Sequence, residues 1–124
     1  MANLKVSGTN FFTLMNAKEG KIGHNTYLHH GKDYDTGEHF AAITLHDTVI
    51  VRVFEDRIEY NTGGYNTVTT KERMNQFALD GQRVYQKDFQ WYVNGQPVGR
   101  EWTVPRFASN MQHGYIYAHR PLNV

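Results

Sequence analysis

Ala41-Ala42-Ile43-Thr44-Leu45-His46-Asp47-Thr48-Val49-Ile50-Val51-Arg52-Val53-Phe54-Glu55-Asp56-Arg57-Ile58-Glu59-Tyr60 carries the clearest pattern in the chain. Ile43 and Leu45 alternate with Thr44 and His46. Val49, Val51 and Val53 alternate with Ile50, Arg52 and Phe54. A period of two sends successive side chains to opposite faces, so both runs are expected as half-buried strands. Asp47-Thr48 is the expected link between them. Glu55-Asp56 is expected to turn the chain into Arg57-Ile58-Glu59-Tyr60, although it lacks the glycine of the strongest two-residue turns.

Downstream, Asn61-Thr62-Gly63-Gly64-Tyr65 breaks this meander. Consecutive glycines permit positive φ and a close backbone approach, which predicts a sharp bend or bulge. Thr69-Thr70-Lys71-Glu72 then fits a capping box, with the Thr69 hydroxyl accepting from the Glu72 amide and the Glu72 carboxylate reaching back. Met74, Phe77 and Ala78 share one helical face by their spacing, and Gly81 is placed to stop the helix in a left-handed conformation. The spacing predicts one short helix over about 69–80. At that length it needs a sheet to dock against. Val84-Tyr85-Gln86 and Phe89-Gln90-Trp91-Tyr92-Val93 are expected to flank a Lys87-Asp88 turn. Asn94-Gly95, the strongest hairpin dipeptide in the chain, leads into Gln96-Pro97-Val98. A last strand is expected at about 114–118.

Upstream, Phe11, Phe12, Leu14 and Met15 form an apolar cluster suited to a strand or a helical turn. Residues 17–40 are rich in glycine and histidine and read as loop with short extended pieces, Thr26-Tyr27-Leu28 foremost. A structureless loop this long is uncommon in a compact domain, which predicts strand pairing within it.

The whole chain, 124 residues long, is the size of one domain, 1–124, and can bury a core without staples. Eight Tyr, seven Phe and two Trp suit strands and argue against general disorder. Thirteen basic and twelve acidic residues leave a formal charge of +1, which removes the argument for non-specific nucleic-acid binding by a concentrated positive field. The absence of cysteine excludes disulfides, thiolate metal sites and a cysteine nucleophile. The opening residues lack the apolar run of a secretory signal, and no segment has the apolar length of a membrane span, so the expected location is cytoplasmic with no membrane partner.

His24, His29, His30, His39 and His46 are the candidate metal ligands, with Asp33, Asp35, Glu38 and Asp47 near them in sequence. Their spacing matches no specific metal motif, and adjacent histidines in a strand point to opposite faces, so loop or surface roles are the simpler expectation. No cofactor is expected. There is no Gly-x-Ser-x-Gly elbow, and the pattern favours a non-enzyme. Gly63-Gly64 before the helix fits neither a phosphate loop nor a dinucleotide fingerprint. Arg83, Lys87 and Trp91, interleaved with Tyr85, Phe89 and Tyr92, supply raw material for a nucleic-acid surface, although Tyr85, Phe89 and Trp91 are more economically assigned to the core.

The segment from Asn61 to Asn75, with the strands before it and the 84–93 hairpin after it, resembles a group of small uncharacterised proteins encoded by bacteriophages. The resemblance spans about residues 41–94. It implies a phage origin, and hence the host cytoplasm, and implies no activity. It directs attention to Thr62, Gly63, Gly64, Thr67, Thr69, Thr70, Lys71, Arg73 and Asn75 as a binding surface, with a framework role as the alternative.

The sequence therefore leads to an α+β fold: a curved antiparallel sheet or small, partly open barrel of five to seven strands, with the helix packed on it. The leading function is that of a small phage accessory protein that binds and modulates or inhibits a host protein. The alternatives are a nucleic-acid-binding module and a metal-dependent enzyme using the histidines of residues 24–46.

Overall fold

The alternation in residues 41–60 becomes the centre of a six-stranded sheet in a computed structural model that describes residues 4–79 and 81–106. In chain order the elements are α1 (Phe11–Asn16), β1 (Gly20–Gly23), β2 (Thr26–Lys32), β3 (His39–Leu45), β4 (Thr48–Val53), β5 (Arg57–Asn61), α2 (Val68–Gln76), β6 (Val84–Lys87), β7 (Gln90–Val93), β8 (Gln96–Val98) and β9 (Glu101–Pro105). The fold is α+β, with nine strands in two antiparallel sheets and no closed barrel among the described residues. The larger sheet runs β1-β2-β3-β4-β5-β9 and the smaller β6-β7-β8. The strand expected at 114–118 lies outside the described residues.

The meander forms because the register keeps apolar side chains on one face. Leu28 pairs with Ile43, Ile43 with Val51, Val51 with Tyr60, and Tyr60 with Trp102. All are buried, and each aliphatic side chain so removed from water contributes about 1.5–3 kcal/mol before entropy is counted. A bulge between Ile43 and Thr44 leaves Ile50 as an extra residue opposite that step. The turn before β4 is His46-Asp47 rather than Asp47-Thr48, with His46 at φ 58°. Strand pairing does run through residues 17–40, and α1 supplies a second helix that buries Leu14.

Helix α2 starts earlier and ends earlier than its sequence pattern predicts. The cap is Thr67, not Thr69: Thr67 is extended at φ −103° and ψ 161°, and its hydroxyl accepts from the Thr70 amide at 3.1 Å. By then Thr69 is already helical. The helix stops at Gln76 because the last carbonyls find partners outside it. Gly8 N–H donates to Gln76 O at 2.8 Å, and the buried Tyr60 hydroxyl donates to Phe77 O at 2.8 Å. Gly81 does take a positive φ of 82°, but in a turn beyond the helix. Met74 and Phe77 are fully buried, as their spacing requires.

The helix and the small sheet are inserted between β5 and β9. Chain leaves the large sheet at Thr62 and returns at Arg100, where Thr62 N–H donates to Arg100 O at 2.9 Å. One core cluster includes Leu14 of α1, Met74 of α2, Trp91 and Val93 of the small sheet, and the inner face of the large one. Trp102 stacks on Tyr60 at 5.4 Å and lies 6.3 Å from Trp91, joining the two sheets through aromatic contact.

Candidate functional site

The bend between β5 and α2 is built first from glycine. Gly63 sits at φ 67°, and a Cβ there would lie 2.5 Å from Thr48 Cγ2, so no other residue fits without displacing that side chain. Asn61 Oδ1 accepts from Gly63 N at 2.7 Å, and Thr62 Oγ1 accepts from Gly64 N at 3.2 Å. Downstream, Asn66 Oδ1 accepts from the Trp91 indole at 2.7 Å and ties the bend to β7.

The polar residues singled out from the sequence are used inside this framework. Thr62, Thr70 and Arg73 are buried. Thr67 and Thr70 share a hydroxyl–hydroxyl bond of 2.9 Å. Lys71 donates to Gln86 Oε1 at 3.1 Å and lies 5.7 Å from the centre of the Trp91 ring. Arg73 donates to Thr26 Oγ1 at 2.8 Å, Gln76 Oε1 at 3.2 Å and His24 O at 3.4 Å. Asn75 holds both backbone groups of Val84, donating to its carbonyl at 2.9 Å and accepting from its amide at 2.7 Å. This pair of bonds fixes the small sheet on α2. Gly64 and Thr67 are exposed beside Thr69.

Among what the framework presents to solvent are large apolar side chains. Tyr65, at 56% exposure, and Val68, at 65%, project from the bend and the first turn of α2. Phe89, at 92%, stands at the tip of the β6–β7 hairpin. An open depression of about 330 Å³ runs between the tip and the bend, with Phe89, Gly64, Asn66 and Arg100 on its walls. A second, of about 300 Å³, is lined by Tyr65, Thr67, His46 and Thr48. The turn residues are Asp88 and Phe89, not Lys87-Asp88, and they have φ of 52° and 69°. Left-handed backbone costs a residue with a Cβ about 1–2 kcal/mol, and a bulky aromatic is a rare occupant. Backbone outliers of this kind cluster at active sites, ligand clamps and switch regions. Sequence periodicity hid it by extending the strand through Phe89. The adjacent Asp88, a turn former, was the available signal.

The remaining candidates lie apart. Trp91 is buried at 5%, while Arg83 and Lys87 are exposed. His24, His29, His39 and His46 are exposed along turns and strands. His30 is half-buried, with Nε2 2.9 Å from Leu14 O. No group of three His, Asp or Glu that could hold a metal ion forms among the described residues.

On the outer face of the large sheet, a charged cluster went unread in the sequence. Arg52 donates to Glu59 Oε1 at 2.6 Å, and Arg57 donates to Glu59 at 3.2 Å and forks onto Glu38 at 2.9 and 3.0 Å. Arg57 also lies 3.8 Å over the Phe54 ring, and Arg52 lies 5.2 Å from the Phe40 ring. The hydrogen bond from Arg57 holds the Glu38 carboxyl below its ordinary range. Burial works against the Arg57 charge, but Glu38, Glu59 and Asp56 outweigh it and hold the guanidinium more firmly protonated. Burial pushes the Tyr60 phenol up. A cavity of about 220 Å³ opens beside this cluster, between Phe40, Arg52 and Glu101. The signal was the cross-strand pairing of Arg52 with Glu59, visible once register is known.

A family model described as Kyanoviridae Gp96 protein matches residues 5–115. No curated protein and no solved structure matches the chain. Among the described residues no helix is long and apolar enough to cross a membrane.

Proposed function

The chain belongs to the Kyanoviridae Gp96 family of phage-encoded proteins, and from that premise we propose that it acts by binding a protein of the phage's host, modulating or inhibiting it in the host cytoplasm. The observation that carries this reading is Phe89, almost wholly exposed in a left-handed turn, across an open depression from the bend at Gly64 and Asn66. Solvent-facing apolar side chains on a hydrogen-bonded base provide contact area at little entropic cost on association. The glycines and threonines of the bend serve as that base, and Arg100 lends a polar margin. Such a protein blocks its partner stoichiometrically and needs no turnover.

The test is affinity capture from host lysate with wild-type protein and with Phe89→Gly, followed by stoichiometry on the isolated complex. Wild type retains one specific host protein near equimolar ratio. The variant, which keeps its turn and loses only the ring, retains at most about a tenth as much, the loss expected for an aromatic anchor worth about 1.4 kcal/mol or more. Equal capture by both proteins, or no specific capture by wild type, overturns the reading.

A further inference from the structure

The small sheet has a second face, and its residues differ from those at the bend. Alternation along β6 turns Val84 inward and Tyr85 and Lys87 outward. Arg83 keeps this register beyond the strand end, because its N–H donates to Asn94 Oδ1 and its carbonyl accepts from Asn94 N–H, both at 3.2 Å. In β7, Trp91 and Val93 are buried and Tyr92 faces out. Cross-strand pairing aligns Tyr85, Tyr92 and Pro97 in one row over three strands. The two tyrosine rings stack at 5.3 Å and 11°, and both are half-exposed.

Arg83 and Lys87 bracket that pair along the edge strand, about 13–14 Å apart at the strand rise of about 3.4 Å per residue. Both are exposed, and the ion pairs seen among the described residues lie elsewhere, at Arg52 and Arg57. Asp88 is the one carboxylate in residues 83–98, and it lies in the turn rather than on the row.

We propose that this face binds single-stranded nucleic acid, with bases stacking on Tyr85 and Tyr92 and phosphates meeting Arg83 and Lys87. The near-neutral charge of the whole chain argues only against non-specific binding by a broad positive field; here the complementarity is local. Every base has a π face, so paired rings flanked by cations bind a strand with little sequence preference. A duplex hides those faces, and an acidic peptide would use the cations and leave the rings idle. The inference goes beyond host-protein binding and uses other residues, so either can fail alone.

The experiment is fluorescence anisotropy with purified protein and a labelled oligothymidylate of about ten nucleotides, within the usual site sizes. The matching duplex and a polyglutamate competitor provide the comparisons. Two phosphate contacts give a log–log salt slope of about −1.4, so affinity falls about sevenfold between about 50 and 200 mM salt. Arg83→Gln with Lys87→Gln flattens that slope, and Tyr85→Leu with Tyr92→Leu, which keeps the apolar cover, weakens binding by about tenfold or more. The proposal is overturned by no anisotropy change with wild type at low salt, by equal affinity for the duplex, by unchanged affinity in the leucine variant, or by displacement with polyglutamate as readily as with unlabelled strand. The wild-type comparisons decide it even where a variant fails to fold.

Discussion

Asp88-Phe89 and Asn94-Gly95 turn the chain in adjacent hairpins of one small sheet, with φ of 52° and 69° in the first and 51° and 82° in the second. Both pairs have positive φ at both central residues, which two-residue hairpins favour because that twist matches the strands. Their chemistry is opposite. Asn-Gly adopts this backbone at little cost, and Asn94 also uses its side chain to accept from Arg83 N–H. Phe89 adopts it against its own Cβ and leaves its ring in solvent. Two turns of similar φ thus differ in what they cost their occupants, and the cost at Phe89 is one that the turn itself does not require.

The largest expected effect removes what both turns share. Asn75 takes both backbone groups of Val84 and anchors β6 to α2. Asn75→Ala leaves a donor and an acceptor without their partner, at about 1–3 kcal/mol each where water cannot replace it. We expect a total loss of about 2–4 kcal/mol in urea unfolding, with amide exchange accelerated through β6, β7 and β8 together. Acceleration confined to one hairpin would mean that the turns are anchored separately and are not a matched pair.

Exchanging the turn chemistry comes next. Phe89→Gly relieves the left-handed strain and raises stability by about 1 kcal/mol, whereas Gly95→Phe introduces it and costs about 1–2 kcal/mol. Urea midpoints read both signs. If Phe89→Gly were destabilising, contacts of the ring within the protein would be offsetting the strain, and Phe89 would be a structural residue. A gain in stability together with loss of capture is the signature of a residue kept for a partner.

The same contrast explains what could be read from the sequence. The meander was legible in Ile43, Val51 and Val53 because burial of one face enforces a period of two, and the Asn94-Gly95 turn because its residues match its backbone. The cap at Thr67 was not, because Thr69 with Glu72 made an equally good local box. The choice was made by tertiary bonds, including the one from Trp91 to Asn66. The helix end at Gln76 depended on Gly8 and Tyr60, donors distant in sequence. Arg73 read as a surface cation and is buried on Thr26, a partner 47 positions away. The exposure of Phe89 was missed for a different reason. A strand period predicts inward aromatics, and only the turn position sets Phe89 outside.

The smallest effect belongs to the outer face of the large sheet, remote from both turns. Arg57 holds Glu38 below its ordinary carboxylate range through a two-bond fork, so as pH falls the unfolded chain takes up the Glu38 proton before the folded one. The stabilisation is therefore complete above the ordinary carboxylate range and is lost as pH drops through the lowered value. Glu38 is partly exposed, and solvent screening keeps the expected gain below about 1 kcal/mol. Glu38→Gln should cost no more than that at neutral pH, shallow the acid limb of a stability–pH profile, and leave amide exchange in β6–β8 unchanged. An acid limb as steep as that of wild type would show that Glu38 does not carry the acid sensitivity. A change in the small sheet would show that the two faces communicate through the Tyr60–Trp102–Trp91 contacts, and the turns could then no longer be compared as an isolated pair.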